Sequence, residues 1–356
     1  RIEAARGFVL SIPSVSIRSP HFFTEVIVRD SLPVISIAPI IEATDPAATA
    51  EALSQTCRES GFFYIVDHGI SPELLRRLES LSHEFFARPL EEKMRLRMEL
   101  AGRAWRGYFP IGAELTSGRP DQKEGLYFGA ELPTDHPKVQ AGVPLHGTSL
   151  YPDISGFRET ILEYLDAMVR LGHTLLRGLA LSLHLEEDYF EQTCTTDPLI
   201  LFRIFHYPSL PEGASAESTW SAGEHTDYGL LTILHQDEIG GLQVKSSGSW
   251  IEAPPVSNSF VCNLGDMLER MTGGLFASTP HRVRNRSSRG RLSFPFFFDP
   301  NWDADVTPIH TPETAAAVAR WDGESVFDFQ GTYGDYILRK VARVFPELDQ
   351  PRWPGE

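Results

Sequence analysis

The chain has 356 residues, of which 42% are hydrophobic, and this is enough for one large or two modest domains around a substantial core. Its formal net charge of −16 argues against nucleic acid or an anionic membrane as a partner, because both bind clustered cations. The composition therefore predicts a soluble globular protein, and an enzyme fits this class.

Two further features of the composition concern the compartment. The three cysteines, Cys57, Cys194 and Cys262, are odd in number and far apart, which argues against a disulfide framework and a CxxC metal site and favours small buried side chains in a reducing compartment. No apolar run is long enough to span a bilayer.

Residues 1–27 are interpreted as an N-terminal arm, the remnant of a targeting peptide or a tag scar. We expect a cytoplasmic protein.

Residues 28–356 are predicted to form a single domain without internal repeats. Its first part, 28–195, is expected to be rich in helices. The second part, 196–310, is expected to be rich in strands and to carry the functional site. The last part, 311–356, is expected to be a C-terminal helix region.

The first elements carry clear local signals. A short strand over 33–38 precedes a helix over 46–59. A buried strand, FFYIV at 62–66, comes next. Ser71 is predicted to cap the following helix, with Pro72 at its first position.

The pattern changes after residue 199. Before it, apolar residues at helical spacing predict a long amphipathic helix over 154–182 that supports a sheet. After it come many short strands at regular spacing, which indicate a sandwich or barrel. These segments are LILFRIFHY, LLTILHQ, GLQVK, SWIEA, SFVCNL, HRVRN and RLSFPFFF. A final helix is predicted over 327–343.

The strand-rich part contains a candidate metal site. His225 and Asp227 stand two residues apart, so on a strand both side chains project from one face. His281 from a distant segment can complete the set. Two histidines and one carboxylate with the opposite face open form the ligand set of non-haem Fe(II) oxygenases. Each residue alone has an ordinary alternative, a turn residue or a satisfied histidine, and a zinc hydrolase uses similar ligands.

A candidate anion site follows His281, separated from it by nine residues. Arg291 can bind a carboxylate through two parallel N–H bonds, and Ser293 on the same strand face can add a hydroxyl. Together the pair can hold the far carboxylate of a 2-oxo diacid whose keto acid end chelates iron.

With these motifs, the chain resembles the isopenicillin N synthase-like family of Fe(II)/2-oxoglutarate-dependent oxygenases over nearly its whole length. The segments that carry the resemblance are PVISIAPI, GFFYIVDHGI, RGYFPIGAELTSGRPDQKEGLYFG, LFRIFHYP, EHTDYGLLTILHQDEIGGLQV and STPHRVRNRSSRGRLSFPFFF. The resemblance implies a mainly β fold with flanking helices around a distorted double-stranded β-helix, or jelly-roll. It implies Fe(II) on His225, Asp227 and His281, O2 as oxidant, and 2-oxoglutarate on Arg291 and Ser293 with Tyr207 as a further contact.

Within this family, HTDYGLL, MTGG, STPH and GAELTSGRPD are similar to the bacterial ethylene-forming enzyme. That similarity implies substrate contacts at Glu114 and Thr116, with Arg203 beside the co-substrate and Arg343 facing a substrate carboxylate. Glu114 and Arg343 have ordinary alternatives, a solvated loop acid and a helix-end base. Further candidates for the substrate pocket are Tyr228 and Phe297. Ser293 and Phe345 depart from that enzyme, which has alanine and tyrosine there, and Ser293 favours ordinary use of 2-oxoglutarate.

The sequence therefore predicts a dioxygenase that hydroxylates or desaturates a small polar metabolite and releases succinate and CO2. The alternatives are ethylene-forming chemistry, an oxidase that needs no 2-oxo acid, and a sensor that binds 2-oxoglutarate without turnover. A small-molecule substrate is the expected partner. The motifs do not specify the substrate or the oligomeric state.

Overall fold

The structure is a computed structural model that describes residues 31–116, 118–209, 221–246, 248–309 and 325–345. The predicted N-terminal arm, residues 1–27, lies outside these residues.

The described residues form twelve strands and nine α-helices. The strands are β1 (Val34–Ser36), β2 (Phe62–Val66), β3 (Gly107–Phe109), β4 (Glu124–Gly129), β5 (Pro198–Tyr207), β6 (Ala222–His225), β7 (Leu231–Gln236), β8 (Leu242–Ser246), β9 (Ser249–Glu252), β10 (Phe260–Leu264), β11 (His281–Val283) and β12 (Arg291–Asn301). The helices are α1 (Ala38–Ile41), α2 (Ala47–Glu59), α3 (Pro72–Phe86), α4 (Leu90–Lys93), α5 (Pro137–Gln140), α6 (Phe157–Ser182), α7 (Tyr189–Thr193), α8 (Asp266–Met271) and α9 (Tyr333–Val344).

The strands form two sheets with a cavity between them. The large sheet has eight strands in the order β1-β2-β10-β7-β12-β5-β4-β3, and the small sheet has four in the order β6-β11-β8-β9. Neighbouring strands are antiparallel except for β1 and β2. Side chains from both sheets line the cavity. Two sheets with flanking helices confirm the predicted mainly β, jelly-roll fold.

Two of the N-terminal helices begin with local hydrogen bonds, and at the second the predicted cap is present. The Asp45 carboxylate accepts a hydrogen bond from the Ala47 amide at 3.2 Å, at the start of α2. Ser71 caps α3, because its Oγ accepts from the Glu73 amide at 3.2 Å and Pro72 is the first helical residue. Helix α6 packs against the large sheet as predicted. Gly172 allows this approach, since a Cβ there would lie 2.5 Å from the Phe298 ring on β12.

The large sheet contains two strands that the prediction lacked. β3 and β4 pair with each other and extend the sheet beyond β5. β4 has the sequence EGLYFG, in which two glycines and a glutamate give a weak strand signal, yet every residue is buried. Four of the eight strands therefore precede residue 196, in the part that was predicted to be rich in helices.

The final helix begins later than predicted. Thr332 and Asp335 form a capping box that starts α9 at Tyr333, whereas the prediction began the helix at residue 327. None of the described helices is long and apolar enough to cross a membrane. All three cysteines are buried and free, as expected. The cytoplasmic location stays a prediction.

Candidate active site

The three predicted metal ligands converge at the edge of the cavity. His225 ends β6 and pairs with His281 at the start of β11, with ring centroids 4.3 Å apart. Asp227 lies in the turn after β6, so only His225 has the predicted extended setting. Asp227 Oδ1 is 3.9 Å from His225 Nε2 and 3.8 Å from His281 Nε2. The donor atoms of the three residues all lie within 4.8 Å of one another. Among the described residues, no other group of three or more His, Cys, Asp or Glu side chains could hold a metal ion.

Neighbouring groups orient the three side chains. His225 Nδ1 is 2.7 Å from the Gly223 carbonyl and His281 Nδ1 is 3.2 Å from the Thr279 carbonyl, so each ring turns its Nε2 toward Asp227. Asp227 Oδ2 accepts hydrogen bonds from Thr232 Oγ1 at 2.5 Å and Asn263 Nδ2 at 2.7 Å. These bonds leave Oδ1 available, and such partners fix the tautomer and direction of metal ligands.

The electrostatics keep the donors in the form that binds metal. Burial and the neighbouring His281 lower the pKa of His225 to about 3, so its ring is neutral at pH 7. Burial alone would raise the pKa of Asp227. The two histidines and the bonds from Asn263 and Thr232 outweigh burial, and the pKa of this carboxyl is lowered. A neutral imidazole and an ionised carboxylate are the donors that a metal ion requires.

The donor set fits Fe(II). Two imidazole nitrogens and one carboxylate oxygen, all from residues that line the cavity, are the donor set of a non-haem Fe(II) site and would hold the ion there.

The predicted anion anchor lies in the same cavity. Arg291 is fully buried on β12, pairs in register with Tyr207 on β5, and holds its guanidinium 4.8 Å from the Tyr207 ring centroid. Its Nη2 donates to Gln236 Oε1 at 3.2 Å, but Nε and Nη1 have no hydrogen-bond partner among the described residues. Ser293 Oγ lies 3.5 Å from Tyr207 Oη. A buried guanidinium with two unused donors suits a carboxylate ligand.

The cavity joins the triad to the anchor and to most of the predicted substrate contacts. It encloses about 990 Å³ of space free of protein atoms, the solvent at its open mouth included. The substrate candidates that line it are Glu114, Thr116, Arg203, Tyr228 and Phe297.

Comparison with known proteins shows the family. A family model described as the N-terminal region of a non-haem dioxygenase in morphine synthesis matches residues 32–154. A second family model, that of the 2OG-Fe(II) oxygenase superfamily, matches residues 199–300. A Dictyostelium discoideum protein named as an iron/ascorbate oxidoreductase is 49% identical over 91% of this chain and 97% of its own length. The chain belongs to the 2OG-Fe(II) oxygenase superfamily.

Other relatives match this oxygenase over most of their length. A 1-aminocyclopropane-1-carboxylate oxidase from Dictyostelium discoideum is 38% identical, over 89% of this chain and 96% of the relative. A homoarginine-6-hydroxylase from rice, Oryza sativa subsp. japonica, is 34% identical, over 88% of this chain and 98% of the relative.

Solved structures agree with the fold and the co-substrate. A full-length Neurospora crassa protein crystallised in complex with alpha-KG superposes with a TM-score of 0.72 at 30% identity, over 87% of this chain and 96% of that chain. A 2OG-Fe(II) oxygenase family protein from Caulobacter crescentus superposes with a TM-score of 0.74 at 27% identity, over 88% of this chain and 99% of that chain. The oxygenase is thus a 2-oxoglutarate-dependent non-haem iron enzyme that uses Fe(II), 2-oxoglutarate and O2.

In the same cavity, the oxygenase contains a buried lysine that the sequence interpretation did not single out. Lys123 lines the cavity, with Nζ 2.9 Å from Glu114 Oε2 and 2.7 Å from Asp121 Oδ2. Burial alone would lower the pKa of Lys123, but the two carboxylates raise it. The sequence offered one signal for this residue. Lys123 stands two residues after Asp121, just before β4, within a segment that carries the family resemblance.

Glu114 is the centre of this charge cluster. Its Oε1 accepts from Tyr127 Oη at 2.8 Å and from Arg203 Nη1 at 3.3 Å. Burial alone would raise the pKa of Glu114, but Lys123 and Arg203 lower it. The ordinary alternative, a solvated loop acid, does not describe this residue, because it is 2% exposed.

The other predicted substrate contacts have distinct surroundings. The Arg203 guanidinium lies between two rings, 4.3 Å from the Tyr127 centroid and 4.9 Å from that of Phe297. Thr116 hydrogen-bonds to Asp121 at the cavity wall. Tyr228 follows Asp227 in the turn.

Arg343 has a different position from the other candidates. Helix α9 presents Ile337, Val341 and Val344 to the cavity, and these residues recur at helical spacing. Arg343 falls on the opposite face, is exposed and does not line the cavity. Its position does not support the predicted contact with a substrate carboxylate.

Proposed function

We propose that this oxygenase hydroxylates or desaturates a small polar metabolite of the amino-acid type. The observation that supports this most directly is the buried carboxylate of Glu114 beside the half-buried guanidinium of Arg203, both in the cavity that holds the triad. Side chains of both signs match a substrate that carries an ammonium and a carboxylate group. The homoarginine-6-hydroxylase relative, by its name, acts on such a compound.

We assign the iron to His225, Asp227 and His281. Iron held there supplies the activation of O2 and the oxidation of a substrate C–H bond. In hydroxylation, C1 of 2-oxoglutarate leaves as CO2, one atom of O2 enters succinate and the other enters the substrate hydroxyl group.

We assign the far carboxylate of 2-oxoglutarate to Arg291, Ser293 and Tyr207. The unused Nε and Nη1 of Arg291 supply two donors for it, and the hydroxyls of Ser293 and Tyr207 lie beside them. Because Arg291 is fully buried, this charge pair would be shielded from water and held in one orientation.

The remaining wall would orient the substrate and exclude water. Glu114 and Arg203 would bind its charged groups. Phe297 from β12 and Val341 and Phe345 from the end of α9 make the wall apolar. A substrate held between these groups would bring one C–H bond to the iron and leave little room for solvent.

A turnover assay tests the proposal. Enzyme loaded anaerobically with Fe(II) and 2-oxoglutarate is mixed with O2 and with homoarginine, arginine, lysine or neutral amino acids, and succinate and oxidised product are measured. We expect a basic amino acid to raise succinate formation above the background, with matching product. Asp227→Ala is the inactive control. Stimulation by other metabolites and by no amino acid would refute the substrate class.

The assay is repeated without 2-oxoglutarate, because one relative is named as a 1-aminocyclopropane-1-carboxylate oxidase. Product formation in its absence would contradict the dependence on this co-substrate, and ethylene in the head space would indicate ethylene-forming chemistry. Binding of 2-oxoglutarate without succinate in any assay would indicate a sensor.

A further inference from the structure

The turn that carries Asp227 is held by the start of helix α8. The amides of Gly265, Asp266 and Met267 donate to the carbonyls of Leu230, Asp227 and Gly229 at 3.0, 2.8 and 3.0 Å, respectively. The approach is close, since a Cβ on Gly265 would lie 2.3 Å from the Gly229 carbonyl oxygen.

A second buried aspartate packs on the same turn. A Cβ on Gly229 would lie 1.5 Å from Asp299 Oδ1, so only glycine fits between the turn and this carboxylate. Asp299 is 2% exposed and lines the cavity. The turn after Asp227 thus lies against Asp266 and Asp299.

Both aspartates are bound by tyrosines from the first turns of α9. Tyr336 Oη donates to Asp266 Oδ2 at 2.8 Å, and Tyr333 Oη donates to Asp299 Oδ2 at 2.6 Å. Asp266 Oδ1 also accepts from Ser278 Oγ at 2.9 Å, three residues before His281. Asp266 therefore joins α9 to the His281 segment through its carboxylate and to the turn of Asp227 through its backbone amide.

The same helix forms a wall of the substrate cavity, through Ile337 and the residues that follow it. A displacement of α9 by substrate would be passed through the tyrosine hydroxyls to the ligand segments. Burial of two carboxylates is unfavourable without such bonds, and apolar side chains would pack the helix equally well, so packing alone does not explain them.

We propose that Asp266 and Asp299 are positioning residues, which with Tyr336 and Tyr333 make the geometry of the iron site depend on the position of α9. The inference rests on the assignment of Asp227 and His281 as iron ligands. It adds that a helix outside the ligand set contributes to metal affinity and to ligand geometry.

Metal binding tests this without turnover. Metal-free Tyr336→Phe, Tyr333→Phe and Asp266→Asn proteins are titrated with Co(II) alone and then with 2-oxoglutarate, and the visible Co(II) spectrum reports ligand geometry. The control is Tyr164→Phe, because the buried Tyr164 hydroxyl has no hydrogen-bond partner among the described residues. Thermal unfolding of the metal-free proteins is measured in parallel.

We expect Asp266→Asn to weaken Co(II) binding about 10-fold, within the range for groups behind metal ligands. The two tyrosine variants should weaken it by less and shift the spectrum, whereas the control should match wild type. In the Asp266→Asn background, Tyr336→Phe should weaken Co(II) binding little further, since both changes disrupt the same Tyr336–Asp266 link.

The inference would be overturned if the variants had lower thermal stability but the Co(II) affinity and spectrum of the wild type. These residues would then have a purely structural role. Failure of the wild type itself to bind Co(II) would instead overturn the ligand assignment. The two results are distinguishable because the first compares variants with a wild type that binds metal.

Discussion

Replacement of Lys123 by methionine tests whether the charge cluster beside the iron site is as tightly coupled as its geometry indicates. Lys123 Nζ lies within 2.9 Å of Glu114 and 2.7 Å of Asp121, and all three side chains are at most 3% exposed. Methionine keeps an unbranched apolar chain and removes the charge. The variant leaves two buried carboxylates with Arg203 as the nearest remaining cation, 3.3 Å from Glu114.

The expected loss of stability follows from burial. Removal of one partner from a buried ion pair destabilises a protein by about 3–5 kcal/mol, because it leaves a charge without compensation. We expect about 3 kcal/mol for Lys123→Met, since Arg203 and Tyr127 still bind Glu114. A typical domain has about 5–15 kcal/mol of stability, so the variant should still fold.

The loss should shrink in acid. In the wild type, the lowered pKa of Glu114 gives stability that is present above the unfolded pKa and is lost as the pH falls through the folded pKa. In the variant, loss of the Lys123 charge should raise the pKa of this carboxyl above its wild-type value, so the folded variant takes up the proton more readily as the pH falls. The difference between the two proteins should therefore decrease from pH 7 toward pH 5.

Urea unfolding of the metal-free proteins measures both effects. The matched control is Lys245→Met, because the Lys245 to Glu224 pair is equally short, 2.7 Å, but about 30% exposed. An exposed pair contributes about 1 kcal/mol or less. The double variant Lys123→Met/Glu114→Gln should recover part of the loss. Equal losses for Lys123→Met and Lys245→Met would refute the reasoning.

Three further predictions concern the iron and co-substrate sites. Asp227→Ala should abolish succinate formation and leave the far-UV circular dichroism unchanged; measurable turnover would contradict the ligand assignment. Arg291→Ala should weaken 2-oxoglutarate binding by about 2 kcal/mol or more, roughly 30-fold, in calorimetric titration. Because burial lowers the pKa of His225, the free energy of unfolding of the metal-free protein should decrease as the pH falls from 6.5 to 4.5. This decrease should be steeper than that of the His225→Asn variant, by at most about 1.4 kcal/mol per pH unit. Equal pH slopes in urea unfolding would contradict this.

That the candidate iron and 2-oxoglutarate residues lie in one cavity could be predicted from the sequence for a physical reason. Each of these sites has a pair of functional side chains two residues apart, so the chemistry is visible in a short local pattern. The sheet then brings the patterns together through register, as in the pairing of His225 with His281 and of Arg291 with Tyr207.

The charge cluster was not predictable in the same way. Lys123 acquires its role only because a loop places Glu114 and Asp121 around it inside the protein, and no local pattern states that three charged residues will be buried. Asp299 is similar. It lies near the end of a phenylalanine-rich strand, and its contacts are made by Tyr333 from α9 and by Gly229 from the connection between β6 and β7.

Arg343 shows which kind of sequence signal carries more weight. A local match to a relative predicted a substrate contact, but the apolar residues Ile337, Val341 and Val344 are spaced four and three apart and define the buried face of α9. Arg343 is two residues from Val341, about 200° around the helix at 3.6 residues per turn, and so faces away from the cavity. Helical periodicity is imposed by backbone geometry, whereas a short match is not. Arg343 thus fits its ordinary alternative, a helix-end base, and the spacing of the apolar residues that shows this is visible in the sequence.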